Sequence, residues 1–133
     1  MTARKPDISE TELETLKVLW EQGPGTVREV HAALKKAGRQ WAYTTVQTLL
    51  NRLEAKGYLR CDRTGFAHVF HPTMSRDGLV RQRLRDLADE LCEGASTPLV
   101  LALVGGQRFT PEDIEQFRSL LDELEKRKKS RKH

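Results

Sequence analysis

The sequence is poor in what most catalytic, metal-binding and membrane proteins need. It holds two cysteines in 133 residues, Cys61 and Cys92, with no CxxC spacing. That argues against a disulfide framework and a zinc ribbon, and a reducing, cytoplasmic setting is expected. Aromatic residues make up only 6%, so any core must rest on aliphatic side chains. The longest apolar stretch, Leu99 to Val104, is far too short to cross a bilayer, and the opening MTARKPDISE has no apolar segment of the signal-peptide kind. No membrane insertion is expected. Paired catalytic carboxylates, a metal-ligand cluster and a nucleophile elbow are missing too. Gly105-Gly106 lacks the lysine and serine that a phosphate-binding loop requires. Neither catalysis nor a cofactor nor a bound metal is expected.

What the chain does have is charge. Charged residues are 32% of the total and the formal net charge is +4. A basic balance of this size suits a polyanionic partner without singling one out. With 38% hydrophobic residues, the length accommodates one small domain and an extension.

Helix signals come first. Ser9-Glu10-Thr11-Glu12 is a capping box, followed by Leu13, Leu16, Val18, Leu19 and Trp20 as a buried stripe and stopped by Gly23-Pro24-Gly25. A second box, Thr26-Val27-Arg28-Glu29, starts a short helix that turns Val27, Val30, Ala33 and Leu34 inward and ends near Gly38. A third helix runs from about Tyr43 to Gly57, with Val46, Leu49, Leu50 and Leu53 on one side. The period then changes. Residues 59–63 and 66–70 alternate as two strands joined at Thr64-Gly65, with Leu59 opposite Phe70 and Cys61 opposite His68. Helix, helix, helix, hairpin is the order of a winged helix-turn-helix domain, expected over residues 1–74.

From Ser75 the pattern differs. Val80, Leu84, Leu87 and Leu91 fall at coiled-coil spacing, a break at Gly94 leads to the apolar run from Leu99 to Val104, and a last helix starts at Thr110-Pro111. That helix carries Ile114, Phe117, Leu120, Leu121 and Leu124 on one face. Each piece has an apolar side and little chain to cover it, so residues 75–128 are expected to form a helical dimerisation region. Val80, Leu84, Leu87, Leu91, Leu99, Leu103, Ile114, Phe117, Leu121 and Leu124 are its expected contacts. Residues 129–133 form a basic tail. The expected fold is mainly α with one small β hairpin.

Opposite its apolar stripe, the third helix presents Thr44, Thr48 and Asn51, flanked by Thr45, Gln47 and Arg52, with Tyr43 at its start. These short hydroxyl and amide groups can reach base edges and phosphates, and three threonines cost helix propensity that lysine or alanine would spare. A plain solvated face is the competing reading of such residues. Arg63 at the hairpin tip, with Arg60 nearby, reaches phosphates or a minor groove, or both serve as ordinary surface arginines. Trp41, ahead of the helix, is expected to staple its start to the core.

The stretch from Ile8 to Pro72 resembles the penicillinase-repressor family, which includes the methicillin-resistance and copper-responsive repressors. The resemblance is carried by Ser9-Glu10-Thr11-Glu12, Val18-Leu19-Trp20, Thr26-Val27-Arg28-Glu29-Val30, the run from Tyr43 to Leu53, Lys56-Gly57 and Phe70-His71-Pro72. It implies a homodimeric transcriptional repressor whose winged helices bind a palindromic operator in double-stranded DNA. In the β-lactam-responsive members a membrane sensor protease triggers cleavage between an asparagine and a phenylalanine. The corresponding region here is Leu101-Ala102-Leu103, where Ala102-Leu103 replaces that bond. The cysteine-rich metal motif of the copper-responsive members is absent. A winged helix that docks on another protein, with no sequence-specific DNA binding, is the alternative reading.

Overall fold

The computed structural model describes residues 6–131. The elements are α1 (Glu10–Gln22), α2 (Val27–Lys36), α3 (Tyr43–Ala55), β1 (Leu59–Asp62), β2 (Val69–Pro72), α4 (Arg76–Leu91), α5 (Thr97–Gly105) and α6 (Pro111–Arg131). The chain divides into two compact units, one ending at Arg83 and one beginning at Leu84.

In the first unit both capping boxes form as the sequence suggests. Glu12 N–H donates to the Ser9 hydroxyl at 3.2 Å while Ser9 N–H donates to the Glu12 carboxylate at 2.9 Å. Thr26 and Glu29 repeat the exchange at 3.0 and 3.2 Å. These bonds satisfy N–H groups that the helix itself leaves open. At the other ends, Gly38 and Gly57 have φ of 91° and 88°, values a β-carbon resists. Around Gly57 the chain closes a Schellman motif, with Gly57 N–H donating to Glu54 O and Tyr58 N–H to Leu53 O. The turn thereby swings Tyr58 and Leu59 back into the core.

That core joins Leu16 and Leu19 of α1, Val30 and Leu34 of α2, Val46, Leu50 and Leu53 of α3, and Tyr58, Leu59 and Phe70 of the hairpin. Leu13, Val18, Trp20 and Val27 pack at its edge. Leu79 of α4 also belongs to it, which is why the first unit continues past Met74. Trp20 Nε1–H donates to Met74 O at 3.0 Å and holds that junction to α1. Gly25, a helix stop by its sequence, does a second job: its N–H and C=O pair with Phe70 as an antiparallel bridge.

The hairpin register corrects the expected one. Leu59 lies opposite Pro72, Arg60 opposite His71, Cys61 opposite Phe70 and Asp62 opposite Val69. Leu59 and Phe70 still share the core face, but Cys61 and His68 do not meet. The strands stop earlier than alternation suggests because Asp62 turns the chain. Its carboxylate accepts from Thr64 N–H at 3.0 Å and from the Thr64 hydroxyl at 2.7 Å, an arrangement that competes with the strand ladder. Residues 63–68 become a loop, and His68 lies outside both strands.

In the second unit the apolar run 99–104 is helical, as α5, with Pro98 in its first turn, where a missing N–H costs nothing. Glu93 and Gly94, with φ of 52° and 85°, break the chain after α4. The Thr110 hydroxyl caps α6 by accepting from Asp113 N–H at 3.1 Å, and Asp113 reciprocates. Phe109 meets Phe117 edge-on at 5.0 Å. Burial is otherwise sparse: α5 has no buried residue, and Leu101 and Leu121 are 67% and 60% exposed. Of the basic tail, residues 129–131 continue α6, and 132 and 133 lie outside the described residues.

Candidate nucleic-acid interface

One side of α3 is accounted for by packing. Val46, Leu50 and Leu53 are buried in the core, Leu49 nearly so, and contacts with α1, α2 and β1 fix the helix on that side. The remaining face is open. Tyr43, Thr44, Thr45, Gln47, Thr48, Asn51 and Arg52 are all exposed, and at 100° per residue they cover one continuous outward surface. The structure thus brings the expected α3 residues together. Thr48 donates its hydroxyl to Thr44 O at 3.0 Å, which leaves the lone pairs of its oxygen able to accept.

The start of this helix suits an anion. Ala42 is the N-cap and supplies no side-chain hydrogen bond, in contrast to α1 and α2. The first-turn N–H groups therefore point outward with the positive end of the helix dipole behind them. No acidic residue stands in that turn. Tyr43 is steadied from the side by the edge of His31, whose ring lies 5.8 Å away, and His31 Nε2 is 2.9 Å from Trp41 O. Trp41 carries the Arg39 guanidinium over its ring, and Arg39 also pairs with Glu14.

The C-terminal end of α3 is anchored by an ion pair to the start of α1. Lys56 Nζ donates to Glu12 Oε1 at 2.7 Å and to Asp7 O at 2.8 Å, and the Tyr58 hydroxyl donates to Pro6 O. Burial of the Glu12 carboxyl works to raise its pKa, but the hydrogen bonds from Lys56 and Ser9 outweigh it and leave the value lowered. Nothing in the spacing of Glu12 and Lys56 along the chain signals this pair. Glu12 is legible only as a capping residue.

The two hairpin arginines differ. Arg60 is exposed on β1, and its charge helps the Thr64 hydrogen bonds keep Asp62 ionised. Arg63 is engaged: both its terminal nitrogens donate to the Glu54 carboxylate, at 2.8 and 2.7 Å. The Arg63 hydrogen bonds hold the Glu54 carboxyl below its ordinary value. Phe66, which the sequence places in a strand, stands fully exposed in the loop instead. Cys61 is half-buried, and burial pushes its thiol pKa up, so it is a packed residue rather than a reactive one. Among the described residues, no cluster of three or more His, Cys, Asp or Glu side chains could hold a metal ion, and no helix is long and apolar enough to cross a membrane.

The residues expected at a dimer contact fall mainly in the second unit. Val80, Leu84, Leu87 and Leu91 are exposed on α4, Leu103 on α5, and Ile114, Leu121 and Leu124 on α6, while Leu99 and Phe117 are half-covered. Leu101, Ala102 and Leu103 lie within α5 and are exposed.

Known proteins share this arrangement. The chain is 29% identical over 124 residues to the penicillinase repressor of Bacillus licheniformis, covering 93% of this chain and 96% of that one. It is 34% identical over 125 residues to the transcriptional regulator BlaI of Mycobacterium tuberculosis, covering 92% and 88%. The solution structure of the DNA-binding domain of the repressor BlaI superimposes with a TM-score of 0.50 at 34% identity, over 58% of this chain and 93% of that domain. The penicillinase repressor family profile matches residues 8–123, and the chain belongs to that family.

Proposed function

We propose that this protein acts as a homodimer on a two-fold symmetric operator, with α3 of each copy in the major groove. The family makes the chain a DNA-binding transcriptional repressor. The observation that carries the finer reading is the open face of α3, where Thr44, Thr48, Asn51 and Arg52 stand exposed on a helix whose opposite side is packed into the core. Asn51 and Gln47 offer the bidentate donor and acceptor pattern that adenine matches, Thr44 and Thr45 with their first-turn N–H groups suit a phosphate, and Arg52 suits a guanine edge or a phosphate. Such a protein works in the cytoplasm, where bacterial DNA lies.

What supports the dimer is the second unit's shortage of buried surface. A nine-residue helix as apolar as α5, with no buried residue, is not left to water by a stable protein. A second copy covers it together with the exposed leucines of α4 and α6. Two linked winged helices read half-sites about 10 base pairs, or a multiple of that, apart. Release by a membrane sensor protease would act at Leu101-Ala102-Leu103; the helical setting of that segment and its Ala102-Leu103 bond give no support to cleavage there.

Footprinting on the promoter of the protein's own gene tests the reading. Protection with dyad symmetry is expected. Asn51→Ala should lose about 1–3 kcal/mol of preference for the operator over random DNA, and Arg52→Ala should weaken operator binding. Wild-type binding that ignores sequence, or mutants that bind as wild type does, would overturn it.

A further inference from the structure

The wing presents a contradiction between its charge and its position. It sits beside the DNA-reading helix, yet the polar groups that flank its loop are engaged within the protein. Asp62 is committed to Thr64, and Arg63 is committed through two hydrogen bonds to Glu54 on α3. Between them the loop leaves an apolar ring in water: Phe66 is fully exposed, next to Gly65 and Ala67, with Arg60 and His68 the exposed polar side chains nearby in sequence. A phenyl ring held in water forfeits an apolar burial worth about 2 kcal/mol or more. The loop does not collapse to recover it, because the Asp62 turn and the Arg63–Glu54 pair set its course.

We infer that the wing meets DNA through the ring of Phe66, and that Arg63 is a positioning residue that holds this ring in place through Glu54 rather than binding a phosphate. The inference rests on the function proposed above. Its geometric basis is the tie between loop and helix. Arg63 fastens the wing to the C-terminal part of α3, so a body that seats α3 in the major groove brings the loop against the adjoining backbone. The surface a phenyl ring can use there is the deoxyribose wall of the groove, which is apolar and the same for every sequence. Such a contact displaces water and releases no counterions, so it adds affinity that salt does not screen. A second protein is the other conceivable occupant. Duplex DNA is favoured because the tether runs to the recognition helix itself.

Binding to the footprinted duplex, followed by fluorescence anisotropy from 50 to 200 mM salt, tests this. Phe66→Ala should weaken binding about tenfold at every salt concentration, with parallel salt slopes and an unchanged thermal midpoint, since the ring buries nothing in the free protein. Phe66→Tyr should bind as wild type does. Arg63→Ala and Glu54→Gln should each weaken binding severalfold, again with unchanged slopes. A phosphate contact predicts otherwise: Arg63→Ala would flatten the slope by about 0.9, and Glu54→Gln would tighten binding by freeing the arginine. That pattern, or a Phe66→Ala loss confined to low salt, overturns the inference. Wild-type protein that binds while Phe66→Ala matches it overturns this inference alone, whereas wild-type protein with no preference for the duplex overturns the proposed function as well.

Discussion

Glu12 carries three duties at once. It closes the α1 capping box, it is almost wholly buried, and it binds Lys56 from the end of α3. Its second oxygen, Oε2, is buried without a hydrogen-bond partner among the described residues, so the ionised form is held by Lys56 and Ser9 alone. Because the folded-state pKa lies below the ordinary 4.5, folding favours the carboxylate. The resulting stability is fully present above that value and is lost as the pH falls through the lower, folded one. Glu12→Gln should therefore be less stable at pH 7 and should show a shallower fall toward acid. Urea midpoints for both proteins between pH 3 and 7 measure this, and parallel curves would remove Glu12 as the source. Arg63 and Glu54 make the contrasting case. Their pair is exposed enough that its direct contribution to stability is small, and its consequence is where the loop points.

At the scale of elements, α3 is shaped by its ends. An uncapped start leaves N–H groups for an anion, and the Schellman turn at the other end returns the chain to the core. Gly57 is the residue that this turn cannot replace cheaply, since its φ of 88° lies where a side chain is strained. Gly57→Ala should cost about 1–2 kcal/mol, read as a lower urea midpoint. The open face of α3 is untouched by the change, so any loss of DNA binding should track the loss of folded protein. The hairpin shows the same logic in reverse. Alternation alone extends both strands into the turn, whereas one carboxylate, Asp62, ends the first of them and creates the loop that exposes Phe66.

The whole molecule is two units with unequal cores. The first buries leucines and valines from three helices and a hairpin around one centre, while the second leaves most of its apolar side chains exposed in a single chain. If a second copy covers them, Leu84→Asp should place charge in that contact and give a monomer by sedimentation. The first unit should stay folded. Operator affinity should then fall about 10²-fold or more, because the second half-site would no longer bind at the high effective concentration that linkage provides. A Leu84→Asp protein that stays dimeric would move the contact away from α4.

Local chemistry determines much of this protein independently of its tertiary fold. Capping boxes, glycine stops and the Val46-Leu49-Leu50-Leu53 stripe act within one or two helical turns, so the three helices and the outward face of α3 could be read from spacing alone. The resemblance to a repressor family likewise lies in short local runs, that from Tyr43 to Leu53 the longest of them. The hairpin register, the Gly25–Phe70 bridge, the burial of Leu79 and the pairs Glu12–Lys56 and Glu54–Arg63 were decided by the tertiary structure. Each joins groups from different elements, and a hydrogen bond or ion pair of that kind leaves no period in the sequence. The scarcity of aromatics and of long apolar runs has its counterpart in the fold. A lean aliphatic core forms one tight unit, and only the folded chain shows that the remaining apolar residues, Phe66 among them, stay outside it.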